Sequence, residues 1–303
     1  MALCTNLGWV SSSRRLLLVH AHPDDETIST GGAIAKYAAE GAQVHVVTCT
    51  LGEDGEIIPP ELSQLGQEYG DQLGGYRAGE LQRACAVLGV TEQHYLGGIG
   101  RWRDSGMAGS RTTSHPRALI SGAFDEQVAQ LLDLFERLRP QVVVTYDSFG
   151  GYGHPDHIRA YQITMAAASS FPSVVRVFHS IRTVSTLEGG LESLRKASTL
   201  PFTMPELEDL AAVPDSMADT TLVLGEHRDT QIEALRQHAT QISVWTEKNN
   251  PAGEDLHESQ ENGTLLASFA LSDGLAQPIP DHEDYALAYG PANGVEFDLF
   301  GGL

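Results

Sequence analysis

The sequence predicts an α/β fold: a Rossmann-like, mostly parallel sheet with helices on both faces, plus a smaller C-terminal α/β portion. Three observations predict it. Short runs of branched apolar residues alternate with helix-length stretches through about residue 170, the pattern of successive βαβ units. The first of these runs is apolar at every position rather than at every second one, as a strand buried on both faces is. The long polar connections all follow strand ends, where open α/β sheets build their sites. On this reading residues 1–170 form the site-bearing core, and residues 171–303 complete the sheet and the cleft within one continuous domain.

Taken in order, residues 1–13 read as a loose N-terminus, and Leu16-Leu17-Leu18-Val19 places a strand over 15–20. A helix over 26–40 follows and stops at Gly41, a natural C-terminal cap. The next strand is 44–48; the polar, glycine-containing stretch 51–75 is too long for a tight βα loop. A helix over 76–88 ends at Gly89, a short strand is expected at 94–96, and 97–115 is irregular. A helix over 124–138 is stopped by Pro140; a strand at 142–146 and a helix at 155–169 close the alternation. Beyond Pro172 the pattern weakens. A strand at 174–181, mixed structure over 182–221, helical periodicity over 226–240 and a polar loop over 247–263 are expected. Short strands in the last 40 residues are expected to cover one edge of the sheet.

Composition narrows the function. With 40 acidic against 19 basic residues and a net charge of −21, the surface repels phosphate backbones, so no nucleic-acid partner is expected. No apolar run approaches the ~20 residues of a membrane helix, and the N-terminus lacks a basic, apolar signal pattern; no membrane partner is expected and a cytoplasmic location is. Cys4, Cys49 and Cys85 are too few and too far apart for a disulfide framework or a cysteine-rich zinc site.

The chemistry concentrates in two turns. His20-Ala21-His22-Pro23-Asp24-Asp25-Glu26 lies between the first strand and first helix, and Gly150-Gly151-Tyr152-Gly153-His154-Pro155-Asp156-His157 follows the fourth strand. His22 and Asp25 converge when a strand end runs into the first turn of a helix, with Pro23 preset for that turn. His157 completes a His₂–carboxylate set, the open type of metal site that leaves room for water. Zinc suits these donors and ferrous iron is the alternative, one ion per chain. His20 and His22, two apart on a strand, form a competing pair of the kind found in barrel-type hydrolases; too few βα units precede residue 170 for a barrel. Asp24 is the expected general base, with a helix N-cap as its structural alternative. Glu26 is assigned to the first helical turn, favoured by the helix dipole. His154 paired with Asp156 reads as a cation beside a developing oxyanion or a proton donor, and Tyr152 aims its hydroxyl at the same oxyanion. Glycines 150, 151 and 153 permit a close approach to a ligand. A non-catalytic metal- or sugar-binding protein would not need Asp24, and a nucleotide-binding module would show G-x-G-x-x-G after the first strand.

These residues carry a family resemblance. H-A-H-P-D-D-E with G-Y-G-H-P-D-H resembles the zinc-dependent de-N-acetylases related to N-acetylglucosaminyl-phosphatidylinositol deacetylase, above all their actinobacterial branch in mycothiol biosynthesis. The likeness extends through 43–53, Asp71 to Arg77, the run G-G-I-G-R-W-R-D-S-G-M-A-G from Gly97 to Gly109, and His238-Ala239-Thr240-Gln241. It implies a hydrolase of N-acetyl-glucosaminyl-inositol, with mycothiol S-conjugates or another N-acetyl-glucosamine-containing small molecule as alternative substrates. It also implies that residues 1–170 are a catalytic core. By resemblance, His22, Asp25 and His157 match zinc ligands and Asp24 the base. His154 and Tyr152 match stabilisers of the tetrahedral intermediate, with Asp156 orienting His154. Arg77 and Asp104 match positions contacting sugar or inositol hydroxyls, and Met107 lines the acetyl or sugar pocket. As structural alternatives, Arg77 is a surface charge and Asp104 caps a turn. Residues 170–225 are short and divergent beside the family pattern, and Ser148-Phe149 replaces a more polar pair.

Overall fold

The computed structural model describes residues 14–247 and 266–303. The expected loose N-terminus and nearly all of the loop at 247–263 lie outside the described residues, as does Cys4.

Strands β1 (Arg15–His20), β2 (Gln43–Thr48), β3 (Glu92–Tyr95), β4 (Val142–Thr145) and β5 (Arg176–Ile181) form the parallel part of a seven-stranded sheet in the order β3-β2-β1-β4-β5. Helices α1 (Asp25–Ala39), α2 (Leu73–Leu88), α3 (Phe124–Leu138) and α5 (Pro155–Ser169) cross over between them, and a four-residue turn, α4 (Gly150–Gly153), precedes α5. The order reverses between β1 and β4. The carboxyl ends of those two strands therefore flank the topological switch point, the crevice such sheets use for ligands. Both candidate turns leave from these ends.

The apolar β1 run works because the pleat alternates. Leu16 and Leu18 join the core beneath α1 and α2, with Val44, Val46 and Leu81; Leu17 and Val19 join the opposite core, with Leu131, Phe135 and Ile163. All four β1 side chains are fully buried, each stabilising by about 1.5–3 kcal/mol. α1 gives way to Gly41 and α2 to Gly89, both at positive φ (81° and 78°), as expected of helix-stopping glycines. α2 begins three residues before its expected start, because Leu73 and Gly74 are themselves buried, Gly74 against Glu53.

The C-terminal portion departs most from expectation. α6 (Val184–Leu194) forms where mixed structure was expected. Its Gly189-Gly190 pair reads as a break, yet Gly190 lies where a Cβ would press within 2.5 Å of Pro278. Thr183 caps the helix by accepting from Thr186 N. The terminal strand β10 (His282–Tyr289) does not cover the sheet edge. It inserts between β5 and β6 (Thr220–Val223), antiparallel to both. β7 (Ser243–Thr246), β8 (Ala267–Ala270) and β9 (Gln277–Pro278) form a separate antiparallel sheet, and α7 (His227–Leu235) lies beside α1 and α2. Among the described residues, no helix is long and apolar enough to cross a membrane.

β10 is tied to α1 by one buried carboxylate. Glu283 accepts from Gly32 N (2.7 Å), Ala33 N (2.9 Å) and the Tyr285 hydroxyl (2.5 Å). Burial outweighs these donors and pushes Glu283 from 4.5 up to about 7. Between those two pH values the unfolded chain has released the proton that the folded chain still holds, so stability falls as pH rises through the window. Denaturant unfolding at pH 5 and pH 8 should show wild type losing about 3 kcal/mol more than Glu283→Gln over that interval. Parallel pH dependences would refute it.

Candidate active site

The turn after β1 and the turn after β4 meet. His22 Nδ1, His157 Nε2 and Asp25 Oδ2 stand at the corners of a nearly equilateral triangle: His22 to Asp25 is 3.3 Å, His157 to Asp25 is 3.4 Å and His157 to His22 is 3.3 Å. The outer nitrogens determine what the inner ones offer. His157 Nδ1 donates to the Gly150 carbonyl (3.1 Å), and His22 Nε2 donates to Asp156 Oδ2 (3.3 Å), with Asp104 Oδ1 at 3.6 Å. Both outer nitrogens therefore carry protons, so an inner nitrogen that holds an ion does so through its lone pair. Three lone-pair donors this close demand a positive charge. Although burial opposes it, the carboxylates of Asp104, Asp156 and Asp25 hold His22 above the usual histidine range. A divalent ion meets the same demand with all three donors at once: tetrahedral bonds of about 2.0–2.2 Å put donors roughly 3.3–3.6 Å apart. The residues fit a metal of this type.

Two other groupings are compact, His22 with His154 and His157, and His22 with Asp104 and Asp156. Their extra members are committed elsewhere. His154 Nδ1 accepts from Asp156 N (3.2 Å), Asp156 Oδ2 accepts from Ser105 N (2.9 Å), and Asp104 Oδ1 accepts from Gly106 N (2.8 Å). A further group, His45, Glu92 and His94, sits on β2 and the edge strand β3.

His20 does not join the cluster. It is fully buried, donates to Thr30 Oγ1 (3.1 Å) and is pushed down to about 4 by burial, which disposes of the His20–His22 pair as the metal-binding unit.

Asp24 occupies the N-cap position of α1, but its side chain makes no capping bond. Its Oδ2 accepts from Arg77 Nη2 (3.0 Å) instead. Burial raises Asp24 to about 6 against the opposing pull of the Arg77 guanidinium. Arg77 was expected to reach sugar hydroxyls. It is only 3% exposed, and its other bonds go to the Gly52 carbonyl (2.7 Å) and the Pro23 carbonyl (2.5 Å), so what it orders directly is the Asp24 turn. A side chain at Gly52, which has φ 65°, would collide with that guanidinium.

The pairing of Asp156 with His154 needs correction. Asp156 lies in the first turn of α5, and its carboxylate points back to His22 and Ser105 N rather than to the His154 ring. It holds the outer nitrogen of a candidate ligand, the usual arrangement around a metal-binding histidine. His154 contacts Asp156 only through the backbone N–H, whose bond to Nδ1 caps α5. With Nδ1 accepting, the ring is neutral and its proton lies on Nε2. Burial, then His22 and His157, push His154 down to about 3.

Tyr152 stands at the mouth, 54% exposed, its ring 6.1 Å from His154 and 5.0 Å from His157. Met107 is 52% exposed in the loop carrying Arg103 to Ser110, while Asp104 beside it is buried. That loop is anchored by Trp102 Nε1, donating to Gln130 Oε1 (2.8 Å), by Asp104 N, donating to Glu53 Oε2 (3.0 Å), and by Ser105 N on Asp156.

Sequence reasoning missed Tyr146. Its hydroxyl donates to Asp25 Oδ2 (2.6 Å) and accepts from Ala21 N (2.8 Å), and its ring stacks on His157 at 4.2 Å. The only signal was an aromatic hydroxyl at the carboxyl end of the expected strand 142–146. Gly150, one of the three glycines expected to permit a close approach, has φ 69°, and an added Cβ there would lie 2.7 Å from the His157 Cβ.

The fold and this cluster define an α/β protein with a candidate His₂–carboxylate metal site at the switch point of its sheet. The chain belongs to the PIG-L family, described as GlcNAc-PI de-N-acetylase, which matches residues 17–168. It is 53% identical over 289 residues to the 1D-myo-inositol 2-acetamido-2-deoxy-alpha-D-glucopyranoside deacetylase of Actinosynnema mirum, covering 95% of this chain and 97% of that protein. It is 52% identical over 296 residues to the corresponding deacetylase 1 of Saccharopolyspora erythraea, covering 95% and 94%. Among solved structures, GalB, the 4-carboxy-2-hydroxymuconate hydratase of Pseudomonas putida KT2440, has a TM-score of 0.53 at 17% identity, over 92% of this chain and 97% of that one; this likeness is one of fold.

Tyr146→Phe removes the Asp25 donor and leaves Ala21 N buried without an acceptor. Urea denaturation should show a loss of about 1–3 kcal/mol. A variant as stable as wild type would show that the hydroxyl does not tie the two turns together.

Proposed function

We propose that this chain removes the acetyl group from 1D-myo-inositol 2-acetamido-2-deoxy-α-D-glucopyranoside, a deacetylation step of mycothiol biosynthesis, using one zinc ion bound by His22, Asp25 and His157. The observation carrying the reading is the triangle of inward-facing donors, with both outer imidazole nitrogens engaged. The near-full-length identity to the Actinosynnema and Saccharopolyspora deacetylases supports the substrate. Ferrous iron suits the same donors.

When bound, the ion supplies Lewis acidity toward the amide carbonyl and makes a water acidic near neutral pH. Asp24 takes the proton from the attacking water. Its carboxylate stands free of the helix cap, and a base whose pKa lies near the working pH transfers protons efficiently. Tyr152 OH and His154 Nε2–H donate to the oxyanion as the carbonyl carbon becomes tetrahedral. His154 stays neutral while its Nδ1 accepts from Asp156 N, so it serves as a donor and Asp24 returns the proton to the departing amine. Asp104 and Met107 line the sugar side of the cleft, and Arg77 acts through Asp24.

The test is release of acetate and free amine from the glucosaminyl-inositol substrate, run beside a mycothiol S-conjugate. Asp24→Ala should lower kcat by about 10²–10⁴-fold while keeping one metal per chain. Chelation should abolish turnover, and added Zn²⁺ or Fe²⁺ should restore it. Faster cleavage of the conjugate would assign the chain to conjugate hydrolysis instead. An Asp24→Ala enzyme that loses its metal but keeps its rate per bound ion would remove the base assignment.

A further inference from the structure

Asp24 has φ 112° and ψ −34°, one of three non-glycine residues with positive φ among the described residues. Such a conformation costs on the order of 1–3 kcal/mol and persists only where its surroundings impose it. Asp at an N-cap has an easier alternative, since its carboxylate can accept from the first free N–H groups of the helix. Something must keep Asp24 from relaxing into that cap.

The restraint comes from Glu26. Its Oε2 accepts from Asp24 N at 2.9 Å, while the Asp24 carbonyl accepts from Thr27 N (3.0 Å) and Ile28 N (2.9 Å). The other Glu26 oxygen, Oε1, accepts from His238 Nε2 at 2.9 Å and from Thr27 Oγ1 at 2.5 Å. Glu26 and His238 are both fully buried, although 212 positions separate them. His238 is held in its own turn, its carbonyl accepting from Gln241 N and Ile242 N. Gln231 of α7 ties that segment to the same helix start by donating to the Thr27 carbonyl (3.0 Å). A glutamate that only favours a helix dipole does so at the surface and needs no partner. A fully buried ion pair is a poor source of net stability, so its placement on the one N–H that governs Asp24 calls for another explanation.

We infer that Glu26 and His238 are positioning residues: the His238–Glu26 pair grips the Asp24 N–H, holds the left-handed turn, and keeps the Asp24 carboxylate presented to the reaction instead of capping α1. The inference rests on the reading of Asp24 as the base.

Because it acts only through Asp24, the pair has a kinetic signature. Glu26→Ala and His238→Ala should each lower kcat by about 10²-fold, as a misplacement of roughly 1 Å does, with KM within threefold of wild type and one metal per chain retained. Glu26→Gln should recover kcat to within tenfold of wild type. Its carbonyl oxygen still accepts from Asp24 N, and its amide donates to a neutral His238. In an Asp24→Ala background, Glu26→Ala should leave the residual kcat unchanged, because the group it positions is gone. A second loss of similar size in the double variant overturns the proposal and makes the pair merely structural. So does a Glu26→Gln enzyme as slow as Glu26→Ala, or a rate loss that tracks metal loss. An Asp24→Ala enzyme with undiminished kcat overturns the base assignment and the proposal together.

Discussion

The structure depends on an electrostatic constraint at the end of β1. Four carboxylates, Asp24, Asp25, Asp104 and Asp156, are buried around the imidazoles of His22, His154 and His157, and the charge must be balanced locally because water is largely excluded. Most of the surrounding hydrogen bonds satisfy that requirement. Asp25 takes the Tyr146 hydroxyl and His22 N. Asp156 takes Ser105 N and His22 Nε2. Asp24 takes Arg77. What remains unanswered is the inner face of the triangle, where three donors point at one another. Such a centre cannot be relieved by sliding one element, because each donor is locked from behind by a different part of the chain.

Those locks explain which parts of the site could be read from sequence. His22, Asp25 and His157 were legible because local geometry dictates their convergence: a strand end, a proline and a first helical turn place the first two, and a second strand end places the third. The roles set by remote contacts were not. Asp156 follows His154 closely enough to suggest a pair, but the N-terminal turn of α5 sends its carboxylate across to His22 from the other turn. Arg77 was expected to contact sugar hydroxyls, and nothing in the sequence announces the three bonds it makes to the Gly52 and Pro23 carbonyls and to Asp24. Tyr146 extends an apolar strand, and nothing in its neighbours announces the hydroxyl's two partners.

The fold divides in the same way. Alternation, helix-stopping glycines and Pro140 mark the parallel strands and their crossovers, since periodicity and capping are local signals. β10 escaped because insertion between β5 and β6 is a pairing decision between segments far apart in the sequence, which no local signal reports. α6 escaped because two glycines weaken helix propensity, while the packing of Gly190 against Pro278 is visible only in three dimensions.

The family match ends at residue 168, yet the geometry of the site does not. Gln231 of α7 and His238 beyond it reach the first turn of α1, and Glu283 of β10 holds Gly32 and Ala33 further along the same helix. α1 begins at Asp25, so the helix that carries one donor of the triangle is registered against the sheet by the last third of the chain. Residues 17–168 supply the side chains of the candidate metal site, but the backbone accuracy that turns a cluster of acids and histidines into a usable site is imposed from outside that segment. The C-terminal portion thus bears on the candidate site through the contacts it makes to the start of α1.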